Sequence, residues 1–526
     1  MMGLSQAQLK RLTAIHGWSA VVLGLLLYAV IATGAVAVFA REIGRWSAGG
    51  VRAVEALDGR VDAKVRRLAA QVDPAHLHDI GMWSGEGDDL YVFFHDHAVN
   101  PETGEEDDIG SAFLVADDGT VLNRRDGWIW SEPANWESSA LRHFLVELHV
   151  QLYLPNPWGL ILTGVLGLMM MAAVVSGVLM HKHVIRDLFV AERPGGRLSS
   201  VRDRHVLSGS WSIPFGFLLA FTGSFFSFAS TVSFPLVAAV AFHGDADAMG
   251  EALFETPAPE DPTPTPLASL DYILADSARR AGSPATYVSI ENYGRADARV
   301  AVWHDPADGG MLYVNNVYDG PTRAFLGARA PVGVDRSAGG VVYGLMAPLH
   351  FGHFAGLLSK AVWGALGVAT CFVILSGFRL WVRRRADQPQ WRRFGHVVQV
   401  VGYGLPIGML ASAVAFFLAR PAADPFLWTP LGFLAGAIVA AFVGWREPDE
   451  GRLGRRYQRL MGALCLLLPV LRIGMGGMDW AEAALHGQGD ALTVDLLLLI
   501  AGAWLWLHAS GRVATRARRL HPEPAE

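Results

Sequence analysis

Eight apolar runs, each close to the ~20 residues that a membrane-spanning helix needs, constrain this chain more than anything else in it. They fall at 18–40, 158–181, 211–242, 357–382, 397–419, 426–445, 460–476 and 491–509. Arg472 interrupts the seventh near its end. In lipid such runs must satisfy their own backbone hydrogen bonds, so they specify a helical bundle. Charged residues are only 17% of the 526, against about a quarter in soluble proteins. That excludes a disordered chain and argues against an ordinary cytosolic enzyme. A net charge of −6 gives no global positive field for nucleic acid. The two cysteines, Cys371 and Cys465, both lie in apolar runs, which excludes a disulfide framework, a Cys-x-x-Cys site and covalent c-type haem.

Lys and Arg in the short loops set the expected orientation. They gather before the first run (Lys10, Arg11), after the second (Lys182 to Arg204), after the fourth (Arg379 to Arg393), after the sixth (Arg446 to Arg459) and in the tail. With eight spans all of these fall on one side, which puts both termini in the cytoplasm. Ala35-Val36-Ala37 resembles a signal-peptide cleavage site, but the run before it is long for a signal core, so the first span reads as an uncleaved anchor.

Two long segments face the other side. Residues 41–145 carry 20 Asp or Glu against 10 Lys or Arg, and residues 243–345 carry 14 against 7. Leu90 to Phe94 reads as a strand, and Phe113 to Asn123 as a hairpin turning at Asp117-Asp118-Gly119. In the second segment 268–281 reads as a helix, with strands near 285–290, 298–304 and 311–317. The expected fold is a membrane α-helical bundle of about eight transmembrane helices with two small α+β domains outside it. Its divisions are 1–40 (first span), 41–145 (first outer domain), 146–242 (spans two and three), 243–345 (second outer domain), 346–385 (span four) and 386–526 (spans five to eight).

The chain repeats itself. His16 and Thr33-Gly34 recur as His205 and Thr222-Gly223, offset by 189 residues. Leu148-His149 and Ser176-Gly177 recur as Leu349-His350 and Ser376-Gly377, offset by 201 and 200. The unit of helix, outer domain and helix is thus duplicated in one orientation, which implies a pseudo-twofold axis along the membrane normal. The axis pairs His16 with His205 at the cytoplasmic ends of their helices, and His149 with His350 at the outer ends. Two imidazoles from facing helices can clamp a haem iron from both sides. A proton or ion relay uses the same residues and is the other functional reading.

These residues carry a resemblance. His16-Gly17-Trp18, Leu148 to Leu152, Gly177 to Lys182, Asp187-Leu188-Phe189, Asp203-Arg204-His205 with Pro214-Phe215, and Pro348 to Gly352 with Gly356 resemble the PepSY-associated transmembrane proteins over about 10–385. That family includes inner-membrane ferric-siderophore reductases of Gram-negative bacteria. The resemblance implies two PepSY-like periplasmic domains, two b haems, and electron delivery to a periplasmic ferric chelate with release of Fe(II). It makes His181 a substitute ligand or propionate contact for the cytoplasmic haem. By spacing alone, His353 lies one turn from His350 on the same helical face and reads as a substitute ligand or propionate contact for the outer one. No Gly-x-Gly-x-x-Gly follows a strand and no Walker motif occurs, so electrons come from a quinol or a separate cytoplasmic donor. The expected setting is the bacterial inner membrane, with lipid and a ferric chelate as partners. The rival expectation is a non-enzymatic membrane regulator with structural histidines. His95 and His97, on one face of a strand near Asp96, have spacing that suits a metal but read first as an exposed polar strand. Trp128, Trp130 and Trp136 read as an aromatic belt.

Overall fold

A computed structural model describes residues 5–48, 57, 60–84, 90–101, 106–128, 139–180, 197–253, 259–307, 310–329, 337–420 and 424–510. Four helices form the duplicated bundle: α1 (Gln6–Ala37), α5 (Trp158–Met180), α6 (Arg197–Phe228) and α11 (Gly356–Arg383). Each packs against two of the others, α1 and α6 both lying on α5 and on α11. A π-helical turn at Ala229–Ser233 continues α6 into α7 (Phe234–Ala241). A box of Ser5 and Gln8 caps α1, each side chain bonding the other's backbone N–H.

Two short helices precede the second helix of each unit. They are α4 (Ala140–Val150), packed on α1, and α10 (Ala338–Phe351), packed on α6. The sequence reading placed His149 and His350 at the outer ends of the spans. They sit instead at the C-termini of these separate helices. Pro155 and Pro157 interrupt the chain after α4, and Gly352, in the left-handed region at φ 68°, caps α10.

The two outer segments form one antiparallel sheet of eight strands rather than two separate sheets. The strands are β1 (Asp79–Ser84), β2 (Leu90–Val99), β3 (Glu106–Val115), β4 (Val121–Trp128), β5 (Ala285–Glu291), β6 (Arg299–His304), β7 (Val314–Asp319) and β8 (Phe325–Arg329). Their order is β4-β3-β2-β1-β5-β6-β7-β8, and the halves join where Ile80 opposes Ile290 and Trp83 opposes Tyr287. Helices α3 (Val61–Ala69) and α9 (Leu270–Ala281) cover one face, over a core that draws Leu68, Ile80, Val92 and Phe113 from the first segment and Leu270, Val288 and Val302 from the second. The fusion follows from burial. β1 and β5 place apolar side chains beneath both helices, and pairing them closes the edge that each half would otherwise expose. The expected β3–β4 turn and the strands of the second segment form, and the helix expected at 268–281 forms as α9 from Leu270.

Among the described residues, seven helices are long and apolar enough to cross a membrane. These are α1, α5, the α6–α7 unit, α11, α12 (Pro389–Ala419), α13 (Pro425–Arg446) and α16 (Gly489–Ala509). The eighth expected span, 460–476, is not one of them. It belongs to α14 (Glu450–Gly474), whose first turns carry Arg452, Arg455, Arg456 and Arg459. The eight-span count behind the orientation argument therefore does not follow from these helices. Arg472 of α14 is fully buried in an ion pair with Asp495 of α16 at 2.6 Å. Asp495 also accepts from the indoles of Trp46, in α2 (Ala40–Ala48), and Trp480, in α15 (Trp480–Leu485). Burial of both charges is tolerable only because each is hydrogen-bonded.

Candidate functional site

The repeat brings its histidines together as the offsets foretold. The rings of His16 and His205 have centroids 6.5 Å apart with their planes at 71°. The rings of His149 and His350 are 6.2 Å apart and inclined by 22°. The second pair lies on the side of the bundle that carries the sheet, and the first on the far side.

Three of the rings meet the hydroxyl of the Ser/Thr-Gly of their own unit, and the fourth, His149, meets a backbone carbonyl beside Thr33-Gly34. His16 Nδ1 is 3.0 Å from Ser176 Oγ, and that hydroxyl gives its proton to the Ala173 carbonyl. His205 Nδ1 is 3.1 Å from Ser376 Oγ and 3.0 Å from the Val373 carbonyl. His149 Nδ1 lies 2.9 Å from the Val30 carbonyl. His350 Nδ1 lies 2.9 Å from Thr222 Oγ1, whose proton goes to the Leu218 carbonyl. The carbonyl partners of His149 and His205 can only accept, and the Ser176 and Thr222 hydroxyls each also reach a carbonyl, an arrangement in which Nδ1 donates and Nε2 keeps its lone pair. Such outer hydrogen bonds orient and tune imidazole ligands.

The glycines make room. A Cβ on Gly34 would come 2.7 Å from His149 Cε1, and one on Gly377 3.1 Å from His205 Cε1. At Gly223 it would come 3.2 Å from His350 Cε1, and at Gly177 3.8 Å from His16 Cε1. These residues served the sequence reading only as markers of the repeat. Their role was open to a closer reading of the same pattern, because a hydroxyl followed by glycine recurs beside every paired histidine.

A haem iron between each pair fits these distances. With imidazole–metal bonds of about 2.0 Å and ring nitrogens about 1.1 Å from the ring centre, two rings on opposite sides of one ion have centroids about 6.2 Å apart. The far-side pair also opens on a largely apolar cavity of about 880 Å³, whose lining includes Lys10, Arg202, Arg384 and Arg385. Those basic residues suit acidic groups like haem propionates.

The chain matches the PepSY-associated TM region over residues 13–384. It belongs to the PepSY-associated transmembrane family. It is also 28% identical to the uncharacterized protein PA4219 of Pseudomonas aeruginosa over 394 residues, which is 72% of this chain and 96% of that one. All four histidines and their Ser/Thr-Gly seats lie inside the PepSY-associated region.

The other site residues separate from the pairs. His353 does not share a helical face with His350, because α10 ends at Phe351 and Gly352 turns the chain. Its ring bonds the Tyr313 hydroxyl of the sheet segment instead. Nearby, Arg41 pairs with Asp305 at 3.1 Å, and Lys360 with the buried Glu42 at 2.6 Å. His181, Trp130 and Trp136 lie outside the described residues. His95 and His97 do share a face, yet their rings meet Asp79 and Asp108, while Asp96 accepts only the His97 backbone N–H. Burial pushes the His95 imidazole below its ordinary value. Burial acts on His97 in the same direction, but the Asp108 and Asp79 carboxylates outweigh it and raise its pKa.

Proposed function

We propose that this PepSY-associated membrane protein is a di-haem b reductase that passes electrons across the bacterial inner membrane to a periplasmic ferric chelate. One observation carries the reading: two pairs of Nδ1-anchored imidazoles, 6.5 and 6.2 Å apart, at two levels of one bundle. His16 and His205 would hold one haem, His149 and His350 the other, and haem supplies one-electron exchange at its iron. The chain's own part is to fix ring orientation through Ser176, Ser376, Val30 and Thr222, and to keep the two centres apart. The basic residues in the cavity lining would neutralise the far-side haem's propionates.

In this reading the amino terminus and the cationic loops up to Arg459 face the cytoplasm, where a quinol or a separate reductase supplies electrons. The sheet faces the periplasm. Reduction loosens a hard-oxygen chelate, since Fe(II) carries less charge and stands low in ligand affinity. The acidic balance of the outer segments favours a neutral or cationic ferric chelate, such as a hydroxamate siderophore, over a multiply anionic one. The deciding experiment is a visible spectrum of the purified chain, with expected b-type bands that dithionite reduces and a ferric chelate reoxidises. A correctly folded, colourless protein would leave the regulator reading, with structural histidines, in its place.

A further inference from the structure

Away from the bundle, the face of the sheet opposite α3 and α9 carries a compact set of donors on three adjacent strands. Asp79 on β1 opposes His95 on β2, and His95 opposes Gly110 on β3. His97, two residues along β2, opposes Asp108 on β3. Cross-strand partners and i, i+2 neighbours share a face, so all four polar side chains project together. Gly110 adds no side chain beside His95, and a Cβ there would come 1.9 Å from the Phe94 carbonyl oxygen.

The distances are those of a coordination shell. One ligand atom each from Asp79, His95 and His97 can be chosen so that all lie within 4.8 Å of one another. His97 Nε2 is 3.2 Å from Asp79 Oδ2, and neighbouring donors around a tetrahedral metal with ~2.05 Å bonds are about 3.3 Å apart. The other nitrogen of His97 lies 2.7 Å from Asp108 Oδ1, the carboxylate–histidine–metal order that orients a ligating imidazole. His95 is stacked on Phe93 at 4.2 Å, and its Nδ1 is buried with no hydrogen-bond partner. It stands 3.5 Å from Asp108 Oδ1. The His97 side chain is 48% exposed, which leaves the cluster a path to solvent.

We propose that Asp79, His95 and His97 bind one divalent first-row transition ion, with Asp108 as the orienting carboxylate. Two imidazoles and one carboxylate suit zinc or Fe(II), with remaining positions left for water or an exogenous ligand. Magnesium and calcium demand oxygen shells and are disfavoured. The site stands whether or not the bundle carries haem.

The test is calorimetric titration of the full-length, chelator-treated protein in detergent with Zn(II), and anaerobically with Fe(II). The expected result is one equivalent that excess Mg(II) or Ca(II) does not displace. His95→Ala and His97→Ala should each abolish that equivalent, and Asp108→Asn should weaken it ~10–100-fold. His486→Ala, remote from the sheet, should leave it intact. His97 is exposed, so its variant reports on the site even if His95→Ala fails to fold. No saturable equivalent in the wild type, or an unchanged one in His97→Ala, overturns the proposal.

Discussion

The two histidine pairs are built from the same repeated parts and are not alike. On the sheet side the rings lie nearly parallel and 6.2 Å apart, on short helices that precede the spans. On the far side they cross at 71° and 6.5 Å, each ring borne within a long helix beside a largely apolar cavity with basic residues in its lining. The anchors diverge as well. His205 has both a hydroxyl and a carbonyl, His16 and His350 a hydroxyl, and His149 a backbone carbonyl alone. Duplication has kept the place of each ring while its inclination and its anchor have drifted.

The largest expected effect separates the pairs outright. On the proposed reading, His149→Ala or His350→Ala removes the sheet-side haem, and His16→Ala or His205→Ala the other. Haemochrome assay of each purified variant should return about half of the wild-type haem. A full complement in any of the four would mean that another ligand serves.

Next comes a change that loosens one side. Asp495→Asn leaves Arg472 buried without its counter-charge, at an expected cost of about 3–5 kcal/mol. Its partner Trp46 shares an apolar cluster with Leu141, Phe144 and Leu148 of α4, the helix that ends in His149. Thermal titration followed in the Soret band should show the sheet-side haem leaving before the far-side haem. Simultaneous loss would show that α4 is not the weaker support.

Smaller still are the seats. Gly34→Ala pushes a methyl to 2.7 Å from His149, whereas Gly177→Ala stops 3.8 Å from His16. Overpacking of the first kind costs about 1–3 kcal/mol, so Gly34→Ala should lower sheet-side haem occupancy and Gly177→Ala should not. Equal occupancy in the two variants would refute the seating argument.

The finest contrast lies in the anchors. Thr222→Val strips His350 Nδ1 of its acceptor, a loss of about 1–3 kcal/mol for a buried donor. Ser376→Ala leaves His205 the Val373 carbonyl. Redox titration should therefore show a larger shift in the sheet-side midpoint for Thr222→Val than in the far-side midpoint for Ser376→Ala.

Much of this was legible in the sequence because it is periodic. Apolar runs mark helices, and constant offsets between His16 and His205, or His149 and His350, align the two units without any contact being known. What escaped has no local signature. β1 is six residues long and defined largely by partners, one of them more than 200 residues away in the chain. His353 looked like a helical neighbour of His350 because spacing alone does not register that Gly352 ends the helix. The run at 460–476 is apolar by itself but shares its helix with a basic first half and takes its charge, Arg472, into a buried pair. His95 and His97 were readable as a pair, whereas Asp79 and Asp108 reach them only through strand register.

The seam between β1 and β5 says what one unit would do without the other. A single unit would end its sheet at β1, with the backbone N–H and C=O groups of that strand bare along one side. Two identical units related by a twofold axis would satisfy those groups by pairing β1 with β1, antiparallel, as β1 now pairs with β5. The same axis would bring each unit's first histidine to its mate and each unit's second to its mate. The covalent chain thus holds, in one polypeptide, the architecture of a symmetric homodimer. Its two halves have been free to specialise because no substitution in one is any longer forced upon the other.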